Sequence, residues 1–211
     1  MTEMGGSLYA GLGSSANDAE VWRWNGTTWA KIGGDSINSG WTTNYEIIGS
    51  LASDGSNIYA GLGASGGDAE VWRWNGTTWA KIGGDSVNSS WPDVTYEYVL
   101  SMTYVSGTLY AGLGTSADDA EVWSWNGATW TKIGGDSVNS SWGAGYEGVY
   151  SLTNDGATVY AGLGASGGDN EVWSWNGSAW TKIGGDGINS GFTNNLISIK
   201  SLVYGNSTLF A

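Results

Sequence analysis

The motif Gly-Gly-Asp-Ser-x-Asn-Ser-x-Trp occurs four times in this chain of 211 residues, with small departures in the last copy. It sets Asp35 and Asn38 ahead of Trp41, and Asp85 and Asn88 ahead of Trp91. The later copies set Asp136 and Asn139 ahead of Trp142, and Asp186 and Asn189 ahead of Phe192. Short hydrogen-bonding side chains beside an aromatic plane are the two components of sugar recognition. The apolar C–H face of a pyranose stacks on the ring, while fixed carboxylate and amide groups satisfy the hydroxyls. A structural use of the same residues stands beside this one: the rings plug a gap between neighbouring elements while Asp and Asn cap the loop backbone. One loop can serve both ends.

Two further sets recur. The first is the acidic pairs Asp18 and Glu20, Asp68 and Glu70, Asp119 and Glu121, and Asp169 and Glu171. Calcium takes about 6–8 oxygen ligands, and each pair offers two carboxylates, so no metal site is expected. Glycoside hydrolysis needs two acids whose surroundings separate their pKa values. Acids copied identically along a chain meet equivalent surroundings, so loop shaping and solubility are expected here, and no enzyme. The second set is Tyr45-Glu46, Tyr96-Glu97 and Tyr146-Glu147, replaced by Leu196 and Ile197 in the last copy. These tyrosines are expected to pack beneath the preceding Trp, with the hydroxyl partnered at the rim; the other use is to rim a pocket.

Composition removes other chemistries. Cys 0 and His 0 exclude disulfides, thiol nucleophiles, zinc fingers, imidazole bases and Ser-His-Asp triads. The net charge of −13 repels a nucleic-acid backbone. No cofactor is implied. No apolar run approaches the ~18 residues of a membrane span and no signal peptide precedes the first strand, so a soluble protein is expected, its compartment open.

The elements that position these residues follow from the period. Tyr-Ala-Gly-Leu-Gly starts at Tyr9, Tyr59, Tyr110 and Tyr160, and a Leu-Phe-Ala echo puts Phe210 next. All 15 Trp residues fall in this register, with Phe192 in the remaining place. Gly 37 and Pro 1, with abundant Ser, Thr, Asn, Val and Trp, favour strands and tight turns. The second copy reads as four strands: 46–53, a turn at Asp54-Gly55, 57–63, a loop, 69–75, then 77–83. The third turn is always Asn-Gly, at Asn25, Asn75, Asn126 and Asn176, the strongest short hairpin signal, with positive φ expected at both central residues. Leu8, Ala10 and Leu12 alternate with Tyr9 and glycines, a pattern apolar on both faces that suits a sheet covered on both sides. Lys31, Lys81, Lys132 and Lys182 on the fourth strand are expected to blunt an outer edge.

Four-stranded antiparallel units at a period near 50, stacked face to face, describe an all-β fold, the β-propeller. One domain over 1–211 is expected, with repeats at about 1–45, 46–95, 96–146, 147–196 and a partial fifth at 197–211. The segment Met1–Ala10 aligns with Leu202–Ala211, so the chain ends in the inner hairpin of a fifth unit. A ring of five positions with an incomplete last blade is expected, self-associating through that half blade. The alternative is a closed four-bladed ring in which 196–204 pairs with 7–13.

The segments Leu8-Tyr9-Ala10, Lys31-Ile32-Gly33-Gly34 and Trp41, with their equivalents in every copy, resemble the repeat of the tachylectin-2-like propeller lectins. That resemblance implies a five-bladed lectin binding N-acetylated amino sugars such as GlcNAc or GalNAc, one site between each pair of adjacent blades. It places the sites at the Ile-Gly-Gly to Trp loops, where the residue types had already pointed. The partners implied are glycans or glycan-coated surfaces, engaged by several weak sites at once. The rival is a repeat scaffold, natural or built, with no small-molecule ligand.

Overall fold

The computed structural model describes residues 1–42, 44–92, 96–114, 119–165, 170–192 and 198–211; Asp169, Leu196 and Ile197 lie outside the described residues. The chain divides into two compact units, Met1–Val99 and Leu100–Ala211. The first carries two blades. One is β1 (Thr2–Met4), β2 (Ser7–Leu12), β3 (Glu20–Trp24) and β4 (Trp29–Gly33), hydrogen-bonded in chain order. The other is β5 (Ile47–Ser53), β6 (Ile58–Gly63), β7 (Glu70–Trp74) and β8 (Trp79–Gly83). In the second unit, β9 (Tyr98–Val105, its first two residues belonging to unit 1) pairs with β10 (Thr108–Gly114), followed by β11 (Glu121–Trp125) and β12 (Trp130–Gly134). Then come β13 (Gly148–Asn154), β14 (Val159–Gly164), β15 (Val172–Trp175) and β16 (Trp180–Gly184), and the hairpin β17 (Val203–Gly205) with β18 (Thr208–Phe210). The fold is all-β, built of four-stranded antiparallel propeller blades. β2 is paired on both sides, with β1 and with β3.

The Asn-Gly turns are wider than the sequence led us to expect. Trp24 pairs with Trp29, so the loop holds four residues, and only Gly26 takes a positive φ, +100°. Asn25 contributes through its side chain instead: its Oδ1 accepts the backbone N–H groups of Thr27 and Thr28, both at 2.9 Å. This Asx arrangement satisfies two donors at once and needs no left-handed asparagine.

Blades approach closely because the second strand carries glycine where the next blade's first strand crosses it. A Cβ on Gly11 would lie 2.4 Å from the Ile48 side chain, and one on Gly162 2.6 Å from that of Ile199. The alternating residues Ile58, Ala60 and Leu62 are fully buried, forming with Tyr9, Val21 and Trp41 the core between the first two blades. Val149, Val159, Ala161 and Leu163 do the same in the second unit. Burying a Val or Leu side chain contributes about 1.5–3 kcal/mol, which is how sheets with few charges hold together.

Candidate functional site

Each nine-residue motif forms the crossing from one blade's fourth strand to the next blade's first strand. At its centre is a single 3₁₀ turn: Ile37–Ser39, Val87–Ser89, Val138–Ser140 and Ile188–Ser190. Around that turn the backbone is left-handed at residues other than glycine. Asp35, Ser36, Asn38 and Ser39 have φ of 51°, 61°, 55° and 61°, and the second and third loops repeat this at all four positions. Left-handed conformations cost L-residues of order 1–2 kcal/mol each, so surrounding contacts must hold them.

Those contacts are visible. The Asn38 amide Nδ2 donates to the Ile32 carbonyl at 3.0 Å, as do Asn88 to Ile82, Asn139 to Ile133 and Asn189 to Ile183. Lys31 bridges Asp35 and Glu20, with Lys81, Lys132 and Lys182 holding Asp85 and Glu70, Asp136 and Glu121, and Asp186 and Glu171. The second carboxylate oxygen of Glu20 accepts the indole N–H of Trp22 at 2.7 Å, and the pattern recurs at Trp72, Trp123 and Trp173. Burial works against the charge of Lys81, but the hydrogen bonds and charges of Asp85 and Glu70 prevail and hold its pKa above the ordinary lysine value. Burial pushes the Glu70 carboxyl up, and burial with the Glu70 charge pushes the Tyr45 phenol far above its usual range. The Asp186 carboxyl is lowered by Lys182.

These contacts assign the sequence motifs their places. Asp35, Asn38, Asp85, Asn88, Asp136, Asn139, Asp186 and Asn189 are exposed on their loops. Trp41, Trp91 and Trp142 are not: they are 2%, 1% and 2% exposed. Trp41 packs edge-on against Trp79 at 5.2 Å and Trp72 at 5.9 Å, and its indole N–H donates to the Ala19 carbonyl at 2.7 Å. Trp142 repeats this against Trp173 and Trp180, donating to Ala120, and Trp91 donates to Ala69. As stacking platforms these rings are corrected: they have no face at the surface and fill the gap between neighbouring strands instead. Phe192, the one aromatic of the set that is half-buried, has no N–H to offer the Asn170 carbonyl.

The lysines also differ from expectation. They sit at the centre of a carboxylate bridge rather than guarding a bare edge, and Glu20 with its copies anchors them. The signal was present in the sequence as a Glu and a Lys eleven residues apart in every repeat. Beside this bridge, on the first blade, Ala10, Leu12, Trp22 and Trp29 line an apolar hollow of about 350 Å³. Trp29 is 44% exposed there, whereas its counterpart Trp79 is 3% exposed.

No family model matches the sequence, and no curated protein matches it. Solved structures do match, at identities that speak for the fold alone. The chain is similar to the sialidase of Trypanosoma rangeli at 12% identity, covering 85% of this chain and 36% of that one, with a TM-score of 0.57. It is similar to the SapL1 lectin, solved with alpha methyl fucoside, at 14% identity over 83% of this chain and 57% of that one, TM-score 0.53. The beta-propeller domain of the Trilobed protease of Pyrococcus furiosus matches at 11% identity, over 86% of this chain and 53% of that one, TM-score 0.50. The chain thus spans about a third to a little over half of these solved chains. All three are propellers in architecture, which agrees with the blades described above.

The same matches correct the expectation that the chain is no enzyme. Most are enzymes, among them sialidases, an acylaminoacyl peptidase of Pyrococcus horikoshii and prolyl endopeptidases. The argument from equivalent surroundings also fails on the geometry. The Glu20 side chain is 27% exposed, while those of Glu70, Glu121 and Glu171 are 4%, 4% and 3% exposed. Repetition in sequence has not made these acids alike. Among the described residues no group of three or more acidic side chains is arranged to hold a metal, and no helix is long and apolar enough to cross a membrane.

Proposed function

We propose that this chain is a carbohydrate-binding propeller whose inter-blade loops each present one weak site. The observation that carries the reading is the repeated strained crossing. Three successive loops fix four non-glycine residues in left-handed geometry and expose Asp35, Ser36, Asn38 and Ser39, or their counterparts, in one arrangement, and the fourth repeats it at Asp186 and Asn189. A protein holds costly backbone conformations where their outcome is used, and short, pinned polar side chains suit sugar hydroxyls. The carboxylate oxygens of Asp35 are oriented by Lys31, and the Asn38 amide by Ile32, so both offer an acceptor without a large ordering cost.

The ligand class in this proposal is the N-acetylated amino sugars, on the resemblance of the repeats to tachylectin-2-like lectins. Fucosides are the alternative, because the SapL1 lectin was solved with one. The reading takes 1–211 as one propeller domain and includes self-association through the hairpin β17–β18. Titration calorimetry with GlcNAc, GalNAc and methyl fucoside, followed by Asn88→Ala and Asn139→Ala, tests it. Loss of about one site per substitution supports the assignment; saturable binding that neither substitution changes removes the loops from it, and no heat from any sugar removes the function.

A further inference from the structure

The first blade carries an apolar face that its counterparts bury. Leu8 and Leu12 lie on one side of β2 and are 39% and 50% exposed, with Ala10 half-buried between them. At the same positions, Ile58 and Leu62 of the second blade and Val159 and Leu163 of the fourth are at most 1% exposed. Trp22 and Trp29 extend the exposed face outward around the apolar hollow. Contiguous apolar surface of this kind marks a contact.

The other blades show what sort of surface covers it. In the second blade, Ile58, Ala60 and Leu62 share a core with Tyr9, which points to the opposite side of β2 from Leu8. In the second unit, Tyr110 packs against the core that holds Val159, Ala161 and Leu163. The cover thus includes the aromatic residue of a neighbouring inner hairpin. The fifth occurrence of that aromatic position is Phe210, 54% exposed, and directly opposite it in the β17–β18 register is Val203, 55% exposed. The other side of this hairpin is already used: Leu202 and Leu209 belong to a core with Ile199, and Tyr204 stacks on Tyr160 at 6.1 Å. Phe210 has no hydroxyl, so its ring can lose its water without leaving a polar atom unpaired.

We propose that the β17–β18 hairpin of one molecule docks on the first blade of a second molecule of this chain, Phe210 and Val203 against Leu8, Ala10 and Leu12. The proposal rests on the self-association already inferred and names the surface that receives the hairpin. Two different faces meet, so the contact is heterologous. A pair of molecules still has one hairpin and one first blade free, and assembly continues into a ring or a filament.

Sedimentation of the full-length chain over a range of micromolar concentrations tests this. The parent should form species larger than a pair. Leu12→Lys blocks the receiving face and Phe210→Lys the hairpin; each changes an exposed residue, and each should weaken association about tenfold or more. Mixed in equal amounts, the two variants keep one intact face of each kind, so they should form one-to-one pairs and stop there. Near-UV circular dichroism checks their folding, and Leu8→Ser with Val203→Ser is the milder pair should a lysine unfold a blade. Association of Leu12→Lys equal to the parent's, with none in Phe210→Lys, overturns the receiving surface while keeping the hairpin as the contact. Failure of the mixture to pair overturns the proposal as well. A parent that stays at 22.0 kDa overturns both it and the self-association it rests on.

Discussion

The indole N–H of Trp79 donates to the Ile32 carbonyl at 2.8 Å, tying the outer hairpin of the second blade to the fourth strand of the first. Trp180 makes the same bond to Ile133. Gly33 and Gly134 are the reason it can form: a Cβ on either would lie 2.9 Å from the incoming Nε1. Replacing Trp79 by Phe keeps the ring but removes one of the two donors to that carbonyl, the Asn38 amide remaining, and should cost about 0.5–1.5 kcal/mol. Gly33→Ala should cost at least as much by pushing the blades apart. Urea unfolding of both variants checks this, and a change below about 0.5 kcal/mol in Trp79→Phe would show that water replaces the bond.

Trp91→Ala tests the place given to the junction tryptophans. A ring 1% exposed leaves a cavity when removed, with an expected loss of about 3–5 kcal/mol. Phe192 shows that the position accepts a smaller ring, so Trp91→Phe should lose much less. Sugar affinity at the other loops should be unchanged in the Phe variant. A Trp91→Ala protein of full stability would place the ring at the surface and restore it as a stacking face.

Acidification should weaken the inner hairpin turns. Burial raises the Asp54 carboxyl, but donors from Asn57, Ser56 and Tyr59 outweigh it and hold its pKa below the ordinary value. A carboxyl depressed in the folded state stabilises above its unfolded pKa, and that contribution is lost as the pH falls through the folded value. Stability from Asp54 is therefore intact at neutral pH and fades below about pH 4. Unfolding at pH 7 and pH 3 should show a smaller acid loss in Asp54→Asn than in the parent chain. Equal losses would show that this turn plays no part.

The bridging lysines predict the opposite edge of the pH range. The Lys132 pKa lies above the ordinary value because Asp136 and Glu121 outweigh its burial. Its contribution is fully present below about pH 10.5 and is lost as the pH rises through the higher folded value. Lys132→Met should destabilise at pH 8 by leaving Glu121, 4% exposed, as a buried charge without its cation. Lys132→Met with Glu121→Gln should recover most of that loss, a result thermal unfolding of the double variant would show or exclude.

Self-association is checked by light scattering. The hairpin β17–β18 pairs only with itself among the described strands, and Val203 and Phe210 are 55% and 54% exposed. A chain truncated after Lys200 should lose any association seen in the parent. A parent that stays at 22.0 kDa across micromolar concentrations would end this part of the proposal.

The strands were legible because their signals are local. Segment 46–53 was expected and Ile47–Ser53 is observed; 77–83 was expected and Trp79–Gly83 is observed, the difference being the wider Asn-Gly loop. The aromatic roles were less legible. Four aromatic positions per repeat, Trp at all but Phe192, share one periodicity, and whether a ring faces a neighbour or solvent depends on the adjacent blade, which sequence does not display. Trp41 therefore read equally well as platform and plug. The acidic pairs misled for a related reason: Glu20 and Glu70 are the same residue in the repeat, yet their exposure differs severalfold.

The outer hairpins are nearly interchangeable, whereas the first strands are not: Ile47–Ser53, Tyr98–Val105 and Gly148–Asn154 share little beyond their alternation. That division bears on how the chain avoids tangling with itself while folding. An outer hairpin attached to the wrong blade would find almost the same neighbours and almost the same energy, so its own sequence offers weak protection against a slip of one whole repeat. The distinct first strands act as addresses, each fitting the glycines of one predecessor, as Ile48 fits Gly11. Shuffling the outer hairpins among blades should leave the protein able to fold, while exchanging two first strands should produce mixed assemblies.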